Sequence, residues 1–413
     1  MLSLYIHIPF CAQICSYCSF AITANQPPEI IKEYLAKLHQ EIDLYATKYP
    51  TSEIKTLYFW GGTPNLIGKE EIKKLIDHVF QVFNCENLAE LSIECNPFPE
   101  TEILDFVRSL NQTYKKLPRL RFSFGIQSLD NGVLQQANRP YTFPGMVEFL
   151  RKLQPLKQDN NVFNFDFIAF GHFNQTKKGN TQLRTQPALS FFSDFVNAHF
   201  ADSFSLYTLE FSEHQLRNRK KAEFQERWAF GTEDEIYEEF DILKNILLDA
   251  GYLRYEISNF SLLSRSSIHN RVYREMEEYL GLGLGASSFL REKASTDSQH
   301  EKRIRYQNTS YLPKYLKEEF SPIIIEEMPV SFEQGRIQEG KDFLIEKFFL
   351  ALRTERGVQD LSAYSSIVVP NYTEKIKLME TQDLVITNGE KLQLTDKGMD
   401  CYNRIVTELL QEI

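Results

Sequence analysis

Long apolar runs are missing from this sequence: no stretch of its 413 residues approaches the ~20 that a helix needs to cross a bilayer, so it does not read as an integral membrane protein. Positive charge is not in excess either. Lys and Arg number 46 against 56 Asp and Glu, a net charge of −10, so the chain as a whole has no electrostatic pull toward nucleic acid or an acidic lipid surface. Small molecules and proteins are the expected partners. The opening "MLSLYIHIPF" has neither a basic n-region nor a small-residue cleavage site, so a cytoplasmic location is expected. Cysteine is scarce, six in all, yet three of the six, Cys11, Cys15 and Cys18, fall within eight positions. In a reducing compartment such a cluster points to metal binding or catalysis rather than disulfides. Cys85, Cys95 and Cys401 are scattered and read as small apolar residues.

Short runs rich in Ile, Val, Phe and Tyr recur through the first half, at 3–10, 56–60, 90–95, 120–127, 162–170 and 204–211. Each has the length of a strand. Helical patterns separate them at 29–49, 69–83, 101–110, 145–154 and 188–199. Strands alternating with helices predict an α/β protein with a parallel sheet, open or curled into a partial barrel. In such architectures the site lies at the carboxyl ends of the strands. The residues that fall there are the three cysteines, "GGTPN" (61–65), Glu94 and Asn96, Gln127 and Asp166.

The spacing C-x₃-C-x₂-C provides three thiolates with no second cysteine pair to complete a zinc tetrahedron. His7 is the nearby fourth candidate, and it would have to reach back around a turn. A cubane iron–sulfur cluster is held by thiolates from a short loop of this kind, and three thiolates leave one iron open for a further ligand. Tyr17 and Phe20 flank the last cysteine and offer aromatic cover.

"YIHIPFCAQICSYCSF" resembles the cluster loop of radical S-adenosylmethionine (SAM) proteins, in particular the oxygen-independent coproporphyrinogen III oxidase-like family and its haem chaperone (HemW-type) branch. "GGTPN", "IECNP", "FGIQSLD…NRPY", "DFIAFG", "GYLRYEISNF", "HNRVY" and "YLGLGLGA" are further matching segments, so the resemblance covers nearly the whole chain. It implies a radical SAM partial (β/α)6 barrel with a [4Fe–4S] cluster on Cys11, Cys15 and Cys18, and SAM chelating the open iron. It further implies SAM contacts from Tyr5, Tyr17, Gly62, Thr63, Glu94, Gln127, Arg139 and Asp166. A zwitterionic sulfonium needs a cation, one or two carboxylates and a glycine-lined wall, and this set contains them. The segment "HNRVY" implies haem contact, with His269 as an axial ligand and Tyr273 beside it. The chaperone branch is favoured because Phe20 stands where the oxidase proper has a further cysteine. The implied function is haem binding and delivery to haem-accepting proteins, with porphyrinogen decarboxylation, or a degenerate homologue that keeps the cluster without SAM chemistry, as the alternatives. The sequence departs from the family pattern at Trp60, Phe98, His172–Phe173, Arg274 and Ser287.

"GLGLGA" loosely fits a dinucleotide fingerprint but follows the helical-looking "REMEEYL", so a turn is expected. The run "LRNRKKAEFQER" (216–227) is interrupted by acids and reads as solvated surface. The expected division is a core with its extension over 1–290, a linker or crossing segment over 291–330, and a C-terminal winged-helix-like α+β domain over 331–413. The last is signalled by a helix at 342–353, a hairpin at 384–394 turning on Asn388-Gly389, and a terminal helix at 396–410. With 9 Lys and Arg against 12 Asp and Glu from Lys341 onward, this module is not expected to read DNA. Packing over the barrel mouth, or contact with a partner, is its expected use.

Overall fold

The computed structural model describes residues 1–171, 182–210, 231–293, 301–317, 319–320, 322–333 and 336–410. Thus His172, Phe173 and the 216–227 run lie outside the described residues. Six parallel strands form the core: β1 (Leu2–Ile8), β2 (Ile54–Gly61), β3 (Glu90–Cys95), β4 (Leu120–Gln127), β5 (Asn161–Ala169) and β6 (Ser203–Thr208). They lie side by side in chain order. Helices Pro28–Lys48, Lys69–Val82, Glu100–Thr113, Phe143–Leu153 and Gln182–Asn197 alternate with them, within a few residues of the sequence pattern except at the start of the last.

The pleat explains why these runs make this sheet. Successive side chains point to opposite faces, and on one face sit Leu4, Ile6, Leu57, Phe59, Leu91, Ile93, Phe122, Phe124, Phe163, Phe165, Phe204 and Leu206. All are buried in one apolar cluster with the helices. Burial of each such side chain contributes about 1.5–3 kcal/mol. The other face carries Tyr5, His7, Tyr58, Glu94, Arg121, Ser123, Asn164, Asp166, Ser205 and Tyr207. Glu94 acts electrostatically on Tyr5, two strands away on one side, and on Tyr207, three strands away on the other. Only a sheet curled around this polar face brings those groups together. It is the concave wall of the expected partial (β/α)6 barrel.

Seven further strands extend the sheet: β7 (Leu253–Glu256), β8 (Asn259–Ser261), β9 (Tyr279–Leu282), β10 (Ser287–Lys293), β11 (Glu301–Gln307), β12 (Ile323–Glu333) and β13 (Arg336–Glu339). The order is β13-β12-β11-β10-β9-β1-β2-β3-β4-β5-β6-β8-β7. The stretch 291–330 is therefore not a linker, because β10, β11 and β12 run antiparallel through it. "GLGLGA" is indeed a turn, but it leaves the strand β9 rather than a helix and enters β10. A buried Glu41 on the first helix fixes this turn: it accepts from Gly283 N (2.8 Å), Asn308 Nδ2 (2.6 Å) and the Tyr315 hydroxyl (2.7 Å).

A second apolar cluster gathers Phe348, Leu352, Ile376, Leu392, Leu394, Ile405 and Leu409. Its helix Lys341–Leu352 and hairpin Val385–Asn388/Lys391–Leu394 follow the sequence pattern, with the two-residue turn at Gly389-Glu390, while the terminal helix is divided into Asp396–Asp400 and Tyr402–Leu409. This unit does not cover the mouth. It packs on the helix Ile268–Arg274 and on β7, through Arg271–Glu355 (2.7 Å), Arg356–Glu275 (2.6 Å) and Arg254–Asp400 (2.8 Å). That helix meets the sheet at Thr56 and Glu90, where β2 and β3 begin, opposite the cysteines.

Candidate functional site

The cysteine loop leaves the end of β1. Phe10–Cys11 pairs with Thr23–Ala24, and Thr23 N donates to Pro9 O (2.8 Å), so residues 12 to 22 close on themselves. Cys18 N donates to Cys15 O (3.1 Å), a tight turn that brings the last two cysteines of the loop together. The motif residues dock the loop from outside. Asp130 caps the short helix Asn131–Gln136 through Val133 N (2.9 Å), and Asn138, at φ 56°, turns the chain at its end. Asn138 Nδ2 donates to Ile14 O (2.8 Å) and Gln13 Nε2 to Asn138 O (2.5 Å).

Arg139 is the hub. Its Nη1 donates to Cys15 Sγ (3.2 Å), its Nη2 to Gly125 O (2.7 Å) and Asn96 Oδ1 (3.3 Å), and its Nε to the Tyr141 hydroxyl (2.7 Å). Asn96 is in turn clasped to "GGTPN": its N–H donates to Asn65 Oδ1 (2.8 Å), and Asn65 Nδ2 donates to Asn96 O (3.2 Å). Thr63 Oγ1 reaches Cys11 Sγ at 3.5 Å. Gly62 is required by contact, since a Cβ there would stand 2.7 Å from Phe10 O and 2.9 Å from Cys11 Sγ. Gln127, at φ 68°, folds its amide back over Gly125. Segments far apart in sequence thus close a hydrogen-bonded ring around three thiols.

The thiols form one electrostatic group. Burial pushes the Cys18 thiol up to about 11, with Cys15 and Cys11 adding to the rise, and it also raises Cys11, whose thiol Thr63 and Arg139 pull back. A cation and a hydroxyl placed against sulfur fit thiolates, as a cluster demands. Among the described residues, no group of three or more His, Cys, Asp and Glu side chains is gathered closely enough to hold a metal ion as placed. His7 is no fourth ligand. Its Nε2 bonds to Ala21 O (2.9 Å) and its Nδ1 to the Tyr5 hydroxyl (2.8 Å), and burial pushes its pKa down to about 4. The donor set therefore fits a [4Fe–4S] cluster with one open iron better than zinc.

Below the ring lie Glu94 and Asp166. The Tyr58 hydroxyl donates to Glu94 Oε1 (2.5 Å), while Ser123 Oγ (3.0 Å) and Asn164 Nδ2 (2.8 Å) donate to Asp166. Burial raises both carboxyls, Glu94 to about 8, with the neighbouring Asp166 adding to it. Such a pair favours a cationic or hydroxyl-bearing ligand. Tyr5 lines the same wall, and Tyr17 stacks edgewise on Phe170 with ring centres 5.9 Å apart. Eight residues expected around SAM thus lie along one path, from thiols to carboxyls. Trp60 fills the place of the family glycine, its ring 4.7 Å from Phe20 and 5.9 Å from Tyr58, whereas Phe98 is 43% exposed.

His269 and Tyr273 lie elsewhere. His269 is fully buried in the helix Ile268–Arg274, with Nδ1 bonded to Thr56 Oγ1 (2.7 Å) and Nε2 to the Tyr273 hydroxyl (2.8 Å). Burial, with Arg121 adding to it, pushes its pKa down to about 3. Both ring nitrogens are hydrogen-bonded within the fold. Arg274, in place of the motif tryptophan, pairs with Glu256 (3.0 Å). The residues that the motifs did not flag are Arg121, Tyr58 and Tyr141. A charged residue at an inward position of the apolar run "LRFSFGIQ" was the available signal for Arg121.

The sequence signature of the radical SAM superfamily matches residues 5–175. The chain is 26% identical over 414 residues to a protein named heme chaperone HemW from Lactococcus lactis, covering 99% of this chain and 97% of that one. It is 30% identical over 285 residues to the protein of the same name from Buchnera aphidicola of Schizaphis graminum, covering 69% of each. Its fold is similar to that of coproporphyrinogen III oxidase (HemN) from Escherichia coli, with a TM-score of 0.69 at 19% identity over 98% of this chain and 89% of that one. A polar barrel interior beneath a docked three-cysteine loop, together with these likenesses, places the chain in the HemW-type family of radical SAM proteins.

Proposed function

We propose that this chain is a cytoplasmic haem chaperone that holds a [4Fe–4S] cluster on Cys11, Cys15 and Cys18, binds SAM beside it, and passes haem to acceptor proteins. The observation that carries the cofactor part is the ring centred on Arg139, which joins Cys15 to Asn96 and Gly125 directly above Glu94 and Asp166. In this reading Arg139 pairs with the SAM carboxylate. Glu94 and Asp166 meet its ammonium and ribose. Gly62 and Thr63 let the backbone lie against it, and Tyr5, Tyr17 and Gln127 complete the wall. Bound to a reduced cluster, SAM supplies radical chemistry. The haem part is supported by the end-to-end likeness to relatives named for that role.

His269 and Tyr273 are the proposed haem contacts. For His269 to reach iron, the helix Ile268–Arg274 must leave Thr56 and Glu90, freeing the ring nitrogens. The test is anaerobic cluster reconstitution followed, on one sample, by haem titration, haem transfer to an apo-haemoprotein, and a porphyrinogen turnover assay. Stoichiometric haem binding with transfer and no turnover is the expected result. Porphyrinogen decarboxylation without haem binding would establish the oxidase alternative instead.

A further inference from the structure

Arg119, just before β4, and Arg121, within it, are treated very differently. Arg119 is satisfied: its guanidinium donates to Ser266 O and Ser264 O at 2.7 Å each and faces Glu90 at 3.5 Å. Arg121 is not. It is 2% exposed, its Nε and Nη1 have no hydrogen-bond partner, and its nearest carboxylate contact is Glu94 Oε1 at 3.6 Å, beyond hydrogen-bond reach. A buried guanidinium with unmade donors costs several kcal/mol, so its retention at this position calls for an electrostatic return.

The groups acting on Glu94 define that return. They are Tyr5 from β1, Tyr58 from β2, Arg121 and Ser123 from β4, Asp166 from β5 and Tyr207 from β6. Arg121 is the cation among them. Asp166 has hydrogen bonds from Ser123 and Asn164 and Glu94 has one from Tyr58, while burial and Asp166 raise Glu94. Two carboxyls in one buried chamber do not both ionise unless a fixed positive charge offsets them.

We propose that Arg121 is a positioning residue for ligand binding: its buried charge favours the anionic form of Glu94, for a sulfonium or ammonium ligand to meet. The proposal rests on the reading of Glu94 as part of the SAM contact. Arg121 touches no ligand itself. The unmade donors keep its charge undivided over the chamber, and a cation arriving at Glu94 completes the neutralisation that Arg121 begins.

The test uses the full chain with its cluster reconstituted, and reads SAM affinity by calorimetry from pH 6 to 9.5 for the parent, R121M, R121Q, R121K and E94Q. In the parent, affinity falls as pH drops below about 8, because protonation of Glu94 removes the charge that the cation meets. In R121M the affinity at pH 7 falls tenfold or more, and the midpoint of the pH profile moves upward by at least one unit. R121Q, which keeps hydrogen-bonding capacity without charge, shifts in the same direction and decides the matter if R121M does not fold. R121K restores the parent profile. E94Q gives a profile that reports only the α-amino group of SAM, and combining it with R121M adds no further loss. An R121Q or R121M profile with the parent midpoint overturns the role of Arg121. An E94Q profile identical to the parent overturns the placement of SAM on Glu94 instead, so the two failures are distinguishable.

Discussion

The two ends of the barrel are built on opposite terms. At the mouth, three half-buried thiols are held by a loop whose own bonds are few, and the arginine that docks it spends one donor on sulfur. At the floor Glu90 and His269 are matched. Glu90, fully buried, accepts from Ile268 N (3.0 Å), His269 N (3.1 Å) and Ser267 Oγ (3.3 Å), and His269 uses both ring nitrogens. One end keeps reactive groups available and the other closes the fold. Damage at the mouth should therefore remove cofactors while sparing stability, and damage at the floor should do the reverse.

The sharpest break is Cys15→Ser. Two remaining thiolates do not hold a cubane, so iron content and the broad thiolate-to-iron absorption should be lost, while the metal-free fold changes in stability by less than ~1 kcal/mol in urea unfolding. Retained iron would rule out the assignment of the loop. Glu90→Ala should do the opposite. It strips four donors (Ile268 N, His269 N, Ser267 Oγ and Ser92 Oγ) and Arg119 of a buried partner and is expected to cost about 3–5 kcal/mol, with iron per folded molecule unchanged.

A pH series sharpens the contrast. The folded pKa of His269 is lowered to about 3 from an ordinary 6.5, so folding requires the neutral ring. Its contribution is whole above pH 6.5 and is lost as pH falls from there toward 3. The stability gap between the parent and His269→Gln should narrow by about 1.4 kcal/mol per pH unit in that window. A gap constant from pH 7 to 4 would mean that the ring is not buried neutral. The smallest effect is expected for Asp130→Ala, which removes the cap of the short helix docking the cysteine loop. The loss should be about 1 kcal/mol, together with slower iron loading at equal protein concentration.

Much of this was legible in the residues. The parallel strands declared themselves because their outward sides are continuous Leu, Ile and Phe. The three cysteines did so because no other role suits them in so cysteine-poor a chain. What stayed hidden depends on curvature. Glu90, Arg121 and Tyr58 read locally as ordinary polar positions in half-exposed strands, and only the rolled sheet turns them into a closed chamber. The stretch around "EKRIRYQ" (301–307) loses the periodicity that marks the earlier strands, yet as β11 it pairs along its whole length with β10. His269 is singled out only through the resemblance, and its hydrogen-bond partner Thr56 lies 213 residues earlier in the chain, where the local sequence gives no sign of it.

The place of β1 in the sheet sets a timetable for synthesis. Its register joins Ser3–Ile6 to Tyr279–Leu282 on one side, and Glu41 waits for Gly283, Asn308 and Tyr315. A ribosome adding 5–20 residues each second needs roughly 15–60 s to deliver those partners. Through that interval the strand leading into the cysteine loop has one edge bare, and the barrel stands open along that seam. Cluster insertion before the seam closes would meet thiols on an unfinished wall. Insertion after the seam closes meets the docked loop described here, so the wall that surrounds the cysteines is complete only once the chain has been made past Tyr315.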